Sequence, residues 1–195
     1  MSVEREILFT GIGGQSVQLG ALVLARAAAR EGRHVMMLGT YGGTMRGGPT
    51  DSTLIVGDTP LTSPPIVARA WSAIVMHHAF FDPLRPKLGA GSLVVVNASL
   101  FEAELDRESL RVFDVPATAI ATELGSPLAA SMVLVAAYAA LTGLLPLDAL
   151  SAGMRESVPS YRRQHLETND RALAAGYAAV PHGVVPAFPS TDRAA

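Results

Sequence analysis

A glycine-rich turn near the start of the chain, residues 11–16 (GIGGQS), has the composition of an anion-binding site. A short apolar segment, residues 7–10, precedes it, and a stretch rich in Leu and Ala, residues 17–31, follows, so the sequence predicts a strand, a turn and a helix. Glycine lets the backbone approach a ligand closely, and the free N–H groups at the start of a helix attract negative charge. The residues of this predicted phosphate cradle are Gly11, Gly13, Gly14, Gln15 and Ser16.

Two common nucleotide-binding signatures do not fit this turn. No Lys-Ser/Thr pair closes it, so it is not a P-loop, and Ser16 occupies the place of the third glycine in the dinucleotide fingerprint. The end of the second predicted strand also lacks the acidic residue that would bind the ribose of NAD. The alternative interpretation is a tight turn that serves only to reverse the chain.

A second glycine-rich loop, residues 41–49 (YGGTMRGGP), presents a single arginine between glycines. A guanidinium group binds a carboxylate or a phosphate through a planar fork of N–H donors. The loop follows the second predicted strand, and turns at the carboxyl ends of neighbouring parallel strands share one crevice. We therefore expect both loops to face the same ligand or partner; the alternative is an exposed loop that binds nothing. The residues assigned to this part of the site are Tyr41, Arg46, Gly47 and Gly48.

Other reactive side chains do not form a catalytic or metal site by their spacing. His77 and His78 are consecutive, so on a strand they point to opposite sides. Residues 102–107 form a charged segment of the kind that is normally solvated. No serine stands in a Gly-x-Ser-x-Gly elbow. We therefore assign no catalytic residue and no metal ligand to this chain.

The composition excludes several classes of protein. The 195 residues include no cysteine, so the chain has no disulfide, no thiolate zinc site and no cysteine-ligated iron–sulfur cluster. A net charge of -2 disfavours a dedicated nucleic-acid-binding protein. Hydrophobic residues make up 49% of the chain and charged residues only 16%, which predicts that part of the surface contacts another protein.

Two segments bear on the location of the protein. The charged N-terminus lacks the apolar region of a secretory signal, so we expect a cytoplasmic protein. Residues 128–147 carry no charge and are long enough to span a bilayer. Ser131, Thr142, Gly143 and Pro146 interrupt this stretch, which favours a buried helix and no membrane span.

The order of predicted elements indicates an α/β fold. Predicted strands cover residues 7–10, 34–39, 52–56, 73–76, 93–97 and 111–115, and predicted helices cover residues 17–31, 117–124, 127–141, 147–158 and 161–176. The first two strands and the helix between them form a βαβ unit, which implies neighbouring parallel strands. We therefore predict a Rossmann-like open, mostly parallel sheet that is flanked by helices and followed by a C-terminal helical segment.

One domain accounts for most of the length. Residues 1–177 form a single α/β domain in this interpretation, and its helical part covers about 117–177. Residues 178–195 contain three prolines and end in polar residues, so they predict an extended tail that is loose or lies on a partner.

Several ordered motifs together resemble those of one protein family. They are residues 11–15, the loop 41–48, the strand and turn 51–64, Glu167-Thr168-Asn169, Ala172 and Gly176-Tyr177. This set is similar to the gamma subunit, or gamma domain, of the 2-oxoacid:ferredoxin oxidoreductases, which include the pyruvate, 2-oxoglutarate, 2-ketoisovalerate and indolepyruvate enzymes. The resemblance spans residues 7–177, nearly the whole predicted domain.

The resemblance implies an accessory, non-catalytic gamma-type subunit of a thiamine-diphosphate-dependent complex that oxidatively decarboxylates a 2-oxoacid. The partners it implies are thiamine-binding alpha and beta subunits and a ferredoxin-like subunit. These partners would hold thiamine diphosphate, Mg²⁺ and the iron–sulfur clusters, and the 2-oxoacid and coenzyme A would bind within the complex. This chain alone would hold none of the redox cofactors, while coenzyme A would bind at the two glycine loops.

Two positions depart from the family pattern. Ser16 stands where a glycine commonly follows Gln15, and Gly43-Thr44 replaces a Pro-Glu pair. The loss of that glutamate favours a divergent member that acts on an aryl 2-oxoacid. Two other functions stay open as alternatives: a stand-alone module that binds coenzyme A or a nucleotide, and a structural interaction subunit without a ligand.

Overall fold

A six-stranded sheet packed against α-helices forms the core of the computed structural model, which describes residues 2–41, 47–62 and 64–189. The strands are β1 (Glu4–Ile12), β2 (His34–Tyr41), β3 (Pro49–Gly57), β4 (Ala70–Val75), β5 (Leu88–Asn97) and β6 (Arg111–Val115). The α-helices are α1 (Val17–Arg30), α2 (Ala117–Glu123), α3 (Ala130–Thr142), α4 (Leu147–Ser157) and α5 (Leu166–Ala178). The α/β class predicted from the sequence is confirmed.

The strand order is β2-β3-β1-β4-β5-β6, and β3 runs antiparallel to both of its neighbours. The pairs β1–β4, β4–β5 and β5–β6 are parallel, so the sheet is mixed with parallel pairs in the majority. The predicted pairing of the first two strands is wrong, because β3 returns from β2 and inserts between them. Since β1 and β2 still point the same way, their carboxyl ends remain at one edge of the sheet.

The α-helices that the structure describes cover one face of the sheet. Ile7 and Phe9 of β1 and Leu54 of β3 point to this face and share one apolar cluster with residues of α1 and α3. Every residue of α3 is buried, and the helix packs against α1, α2, α4 and α5. The apolar stretch around α3 is therefore the centre of the domain, as a buried helix requires. Within the described residues, no helix combines the length and apolarity needed to cross a bilayer.

Short helices and loops cover the other face. Leu8, Val75 and Val94 form a second apolar cluster with Phe81 and Leu84. These last two residues belong to the segment 78–87, which contains two 3-10 turns and no α-helix. Among the described residues, α-helices therefore cover only one side of the sheet, which differs from a doubly wound sheet with α-helices on both faces.

Two predicted helices differ from the observed ones at their N-terminal ends. The segment predicted as one helix over 127–141 begins with a 3-10 turn at Pro127–Ala129, and α3 starts after it. Similarly, the segment predicted over 161–176 begins as the 3-10 helix Ser160–His165, which follows Pro159 and precedes α5. A 3-10 turn is frequent at the start of an α-helix, and the apolar pattern does not distinguish the two.

The chain after α5 folds back onto its own domain over the described residues. The N–H groups of Gly183, Val185 and Ala187 donate to the last carbonyls of α3, those of Ala140, Leu141 and Thr142. A helix leaves its last four carbonyls without partners inside the helix, and this segment satisfies three of them. Up to residue 189 the tail is therefore attached to its own domain and is not loose. Its contact with a partner stays a prediction, and residues 190–195 lie outside the described part. The domain boundary at residue 177 stays a prediction.

The crossing of α3 and α5 depends on Gly176. A Cβ atom at this position would overlap the carbonyl oxygen of Val133 and approach its carbonyl carbon within 2.7 Å. Backbone cannot move aside as a flexible side chain can. The closeness of the two helices therefore requires glycine here.

We predict that Gly176→Ala destabilises the chain by about 1–3 kcal/mol or more, which is the usual cost of overpacking a tight core. Urea denaturation of the full chain would measure the change. Gly89→Ala is the matched control, because a Cβ at Gly89 would meet no atom within 4 Å. Equal stability of the two variants would show that the helices separate without cost.

Candidate functional site: the glycine rim and the helical groove

The glycine turn between β1 and α1 is closed by its own glutamine. The N–H of Ile12 donates to Gln15 Oε1 at 2.9 Å, and the N–H of Gln15 donates to Ile12 O at 3.1 Å. The side-chain oxygen of Gln15 is therefore used inside the turn. Its predicted role towards a ligand is limited to the side-chain N–H₂ group and the backbone.

Gly14 is the most open residue of the turn. Its φ of 105° lies in the left-handed region, and a Cβ there would meet no atom within 4 Å. Gly11 differs, because a Cβ would come within 2.8 Å of Gln15 Oε1 and Val17 Cγ2. Of the two, Gly11 is required for packing and Gly14 leaves space for a ligand.

The two glycine loops meet at Gly13. Its N–H donates to Gly48 O at 2.9 Å, and a Cβ on Gly13 would lie 3.5 Å from Gly47 N. This proximity follows from the sheet, because β3 starts at the edge where β1 and β2 end. The structure thus brings Gly11, Gly13, Gly14, Gln15 and Ser16 together with Gly47 and Gly48; we call this set the glycine rim.

For the other two predicted residues of the second loop, Tyr41 and Arg46, the structure describes only the backbone of Tyr41. Tyr41 ends β2, where its backbone pairs with Thr50. Arg46 lies in the segment 42–46, which is outside the described residues. Its assignment to the site stays a prediction from the sequence.

The start of α1 gives the glycine rim a positive end. This helix has 14 residues, no acidic side chain in its first turn and Arg30 in its last turn. Ser16 caps it with a φ of 57° and makes no side-chain capping bond. The partial positive charge of the helix start is therefore not neutralised by a local carboxylate.

A groove of about 740 Å³ extends from the glycine rim along the helical face; we call it the helical groove. Ser16, which precedes α1, and Leu19 of α1 form one side of the groove, and Met37 of β2 also lines it. The 3-10 segment 160–165 and the first turns of α3 and α5 form the remaining sides. Sequence reasoning missed this groove, although Asn169, which lines it, belongs to one of the motifs that carry the family resemblance.

Asp51 lies on the opposite face of the sheet, beside Thr10 of β1. Its Oδ1 atom is buried and has no hydrogen-bond partner. Burial raises the pKa of the Asp51 carboxyl above its usual value, while the Thr10 hydroxyl and the charge of Lys87 oppose that rise. Burial therefore makes ionisation of this side chain more costly in the folded protein than in the unfolded chain.

His77 and His78 serve the local chain path. His77 Nδ1 accepts from the N–H of Ala79 at 3.1 Å, and His78 Nδ1 donates to Leu100 O at 2.9 Å. Burial lowers the pKa of His77. Across residues 2–41, 47–62 and 64–189, no three His, Asp or Glu side chains gather as a set of metal ligands.

We predict that Asp51→Asn raises the stability of the chain at neutral pH. An acid with a raised pKa costs stability once the pH passes from its ordinary value of 3.8 through the raised one, because ionisation is easier in the unfolded chain. Urea denaturation at neutral and at acidic pH measures this: the gain should shrink as the pH falls. Asp82→Asn, at a side chain that is 85% exposed, is the control and should change little. A loss of stability at neutral pH would mean that the charged carboxylate is stabilising.

Comparison with known proteins places the chain in a family. The family model for pyruvate ferredoxin/flavodoxin oxidoreductase matches residues 6–179. A "2-oxoglutarate synthase subunit KorC" from Archaeoglobus fulgidus is 32% identical over 91% of this chain and 88% of its own length. The "Pyruvate/ketoisovalerate oxidoreductases common subunit gamma" of Thermococcus kodakarensis is 30% identical over 78% of this chain and 85% of its own length.

A solved structure supports the fold. The 2-oxoglutarate:ferredoxin oxidoreductase from Magnetococcus marinus, with 2-oxoglutarate, coenzyme A and succinyl-CoA bound, has a TM-score of 0.80 at 19% identity. The match covers 91% of this chain and 31% of that longer chain. The family-model match and the sequence matches agree with the resemblance found in the motifs. This chain belongs to the pyruvate ferredoxin/flavodoxin oxidoreductase family and is one of its gamma-type members.

Proposed function

We propose that this chain is the accessory gamma-type subunit of a cytoplasmic complex that oxidatively decarboxylates a 2-oxoacid and passes the electrons to ferredoxin. The family match over residues 6–179 is the observation that carries this proposal. The apolar composition, with 16% charged residues, also suits a chain that is partly covered by other subunits.

The proposed division of labour assigns the redox chemistry to partner subunits. Because the chain contains no cysteine, it offers no thiolate for an iron–sulfur cluster. Thiamine diphosphate with its Mg²⁺ would therefore be held by the alpha and beta subunits, and the clusters by a ferredoxin-like subunit. The gamma-type chain would contribute binding surface and positioning.

The glycine rim has the features needed to hold a phosphate group of coenzyme A. Gly14 leaves its outer side free, and the start of α1 supplies partial positive charge without a neighbouring carboxylate. Arg46 would add a charged fork from the second loop. Coenzyme A, when bound, supplies the thiol that accepts the acyl group. The coenzyme A named for the Magnetococcus marinus enzyme supports this choice of ligand.

The departure at Ser16 can be interpreted from its backbone. Ser16 is the one non-glycine residue with positive φ among those the structure describes. A family glycine at this position would adopt that conformation without strain. The serine therefore adds a hydroxyl at the rim, at a cost in backbone strain. The departure at Thr44, outside the described residues, is the reason for proposing an aryl 2-oxoacid as one candidate substrate.

The first test concerns the chain by itself. We predict no oxidation of any 2-oxoacid by the purified full chain with thiamine diphosphate, Mg²⁺, coenzyme A and a dye acceptor. Addition of the partner subunits should restore activity, measured as dye reduction. Turnover by the chain alone would contradict an accessory role. If the chain associates stably with other proteins and not with the thiamine-binding and ferredoxin-like subunits, it belongs to a different complex.

The second test concerns coenzyme A at the glycine rim. We predict that Arg46→Ala in the reconstituted complex weakens coenzyme A binding by about 1.5–3 kcal/mol, the usual contribution of a hydrogen bond to a charged group. Arg46→Lys should lose less, because it keeps the charge but not the fork. The apparent KM for coenzyme A measures the effect, with the KM for the 2-oxoacid and the extent of assembly as controls.

A second variant checks the rim independently of Arg46. Gly13→Val adds a side chain whose Cβ has only ordinary contacts, 3.5 Å from the nearest atom, so the fold should survive. A raised KM for coenzyme A in this folded variant would support the phosphate cradle. Unchanged KM values in both variants would mean that the turn only reverses the chain.

A further inference from the structure

The helical groove contains a buried hydroxyl without a partner. Ser131 of α3 is 2% exposed, lines the groove, and its Oγ atom makes no hydrogen bond. A serine or threonine within a helix commonly donates to the carbonyl four residues earlier. Thr142 does so to Tyr138 O at 2.8 Å, and Ser157 to Gly153 O at 2.7 Å. Thr142 and Ser157 therefore use their hydroxyls within their own helices. Ser131, at the floor of the groove, leaves its hydroxyl free to donate.

The position of Ser131 explains why this donor is free. The residue four places earlier is Pro127, which belongs to the 3-10 turn before α3. The carbonyl that would accept the hydroxyl is therefore not in the helical position. A buried polar group without a partner destabilises the fold, so a molecule that accepts this bond gains a corresponding advantage in binding.

The charge of the groove favours an acidic occupant. Arg162 and His165 line it, and among its described lining residues none is Asp or Glu. The start of α1 lies at the end of the groove where Ser16 meets the glycine rim. Gln18 and Asn169 add amide groups that can bond to a carboxylate or a backbone peptide.

The rim of the groove carries two large apolar side chains in solvent. Leu128 is 69% exposed and Tyr161 is 71% exposed, and both line the groove. Tyr and Arg are the side chains most enriched at the energetic centre of protein interfaces. A small ligand in the floor would leave Leu128 and Tyr161 uncovered, whereas a chain segment lying along the groove would cover them.

We propose that the helical groove docks a segment of a partner subunit that carries a carboxylate between apolar side chains. The carboxylate accepts from Ser131 Oγ and pairs with Arg162, and the apolar side chains cover Leu128 and Tyr161. This inference rests on the proposed function, since it requires that the chain is a subunit. It adds a second contact region beside the glycine rim.

The test measures the affinity of the full-length chain for its purified partner subunits by titration calorimetry. We expect the double variant Leu128→Ser/Arg162→Glu to weaken association at least tenfold, with an unchanged circular dichroism spectrum. Its matched control is Ile66→Ser/Arg69→Glu, which changes one exposed apolar residue and one exposed arginine in the loop before β4 and should stay within twofold of the wild type.

The single variant Ser131→Ala distinguishes a binding role of this hydroxyl from a purely structural one. Ser131→Ala removes the unpartnered hydroxyl, so the chain by itself should be equally or more stable in urea. Its association with the partner subunits should nevertheless weaken severalfold. Loss of stability together with unchanged association would overturn the proposed contact.

The outcomes separate this proposal from the proposed function. A wild-type chain that does not associate with the partner subunits overturns both. Association that is equal for the wild type, the groove variant and the control overturns the docking proposal alone. Intact association with a raised KM for coenzyme A in the groove variant also overturns it and assigns the groove to the small molecule.

Discussion

The insertion of β3 between β1 and β2 is the constraint on which the candidate site depends. This strand pairs with β1 from Glu4↔Gly57 to Ile12↔Pro49, so its first residues lie at the edge where β1 ends. That register brings Gly48 to Gly13 and joins two loops that are distant in sequence. A register shift of one residue would turn the side chains of β3 to the opposite faces of the sheet and separate the loops. The backbone ladder therefore determines the geometry of the glycine rim.

Helix α3 provides the second constraint, because it is buried along its whole length. Close packing of this helix explains Gly176 on α5, and the bond of 2.9 Å between Tyr138 Oη and Ser72 Oγ ties it to β4. The segment after α5 satisfies its last carbonyls, which a buried helix end cannot leave to water. Ser131, at the groove floor, is the one described residue of α3 whose buried hydroxyl has no partner.

Charge is distributed unequally between the two faces of the sheet, although the net charge is only -2. On the helical side, the start of α1, Arg162 and His165 favour an acidic group. On the other side, burial raises the pKa of the Asp51 carboxyl. A net charge near zero therefore conceals a local excess of positive charge along the helical groove. Such a local charge orients an acidic group that approaches the groove.

The sequence by itself determined the elements, the class of fold, the anion-binding composition of the glycine turn and the family. These properties depend on local patterns: apolar runs, glycines between a strand and a helix, and ordered motifs. Only the tertiary structure decided which strands are neighbours, where residues 179–189 pack, and that Ser131, Arg162 and Asn169 line one groove with Ser16. Pairings and grooves join residues far apart in the chain, and their free energy comes from long-range contacts that no local pattern records.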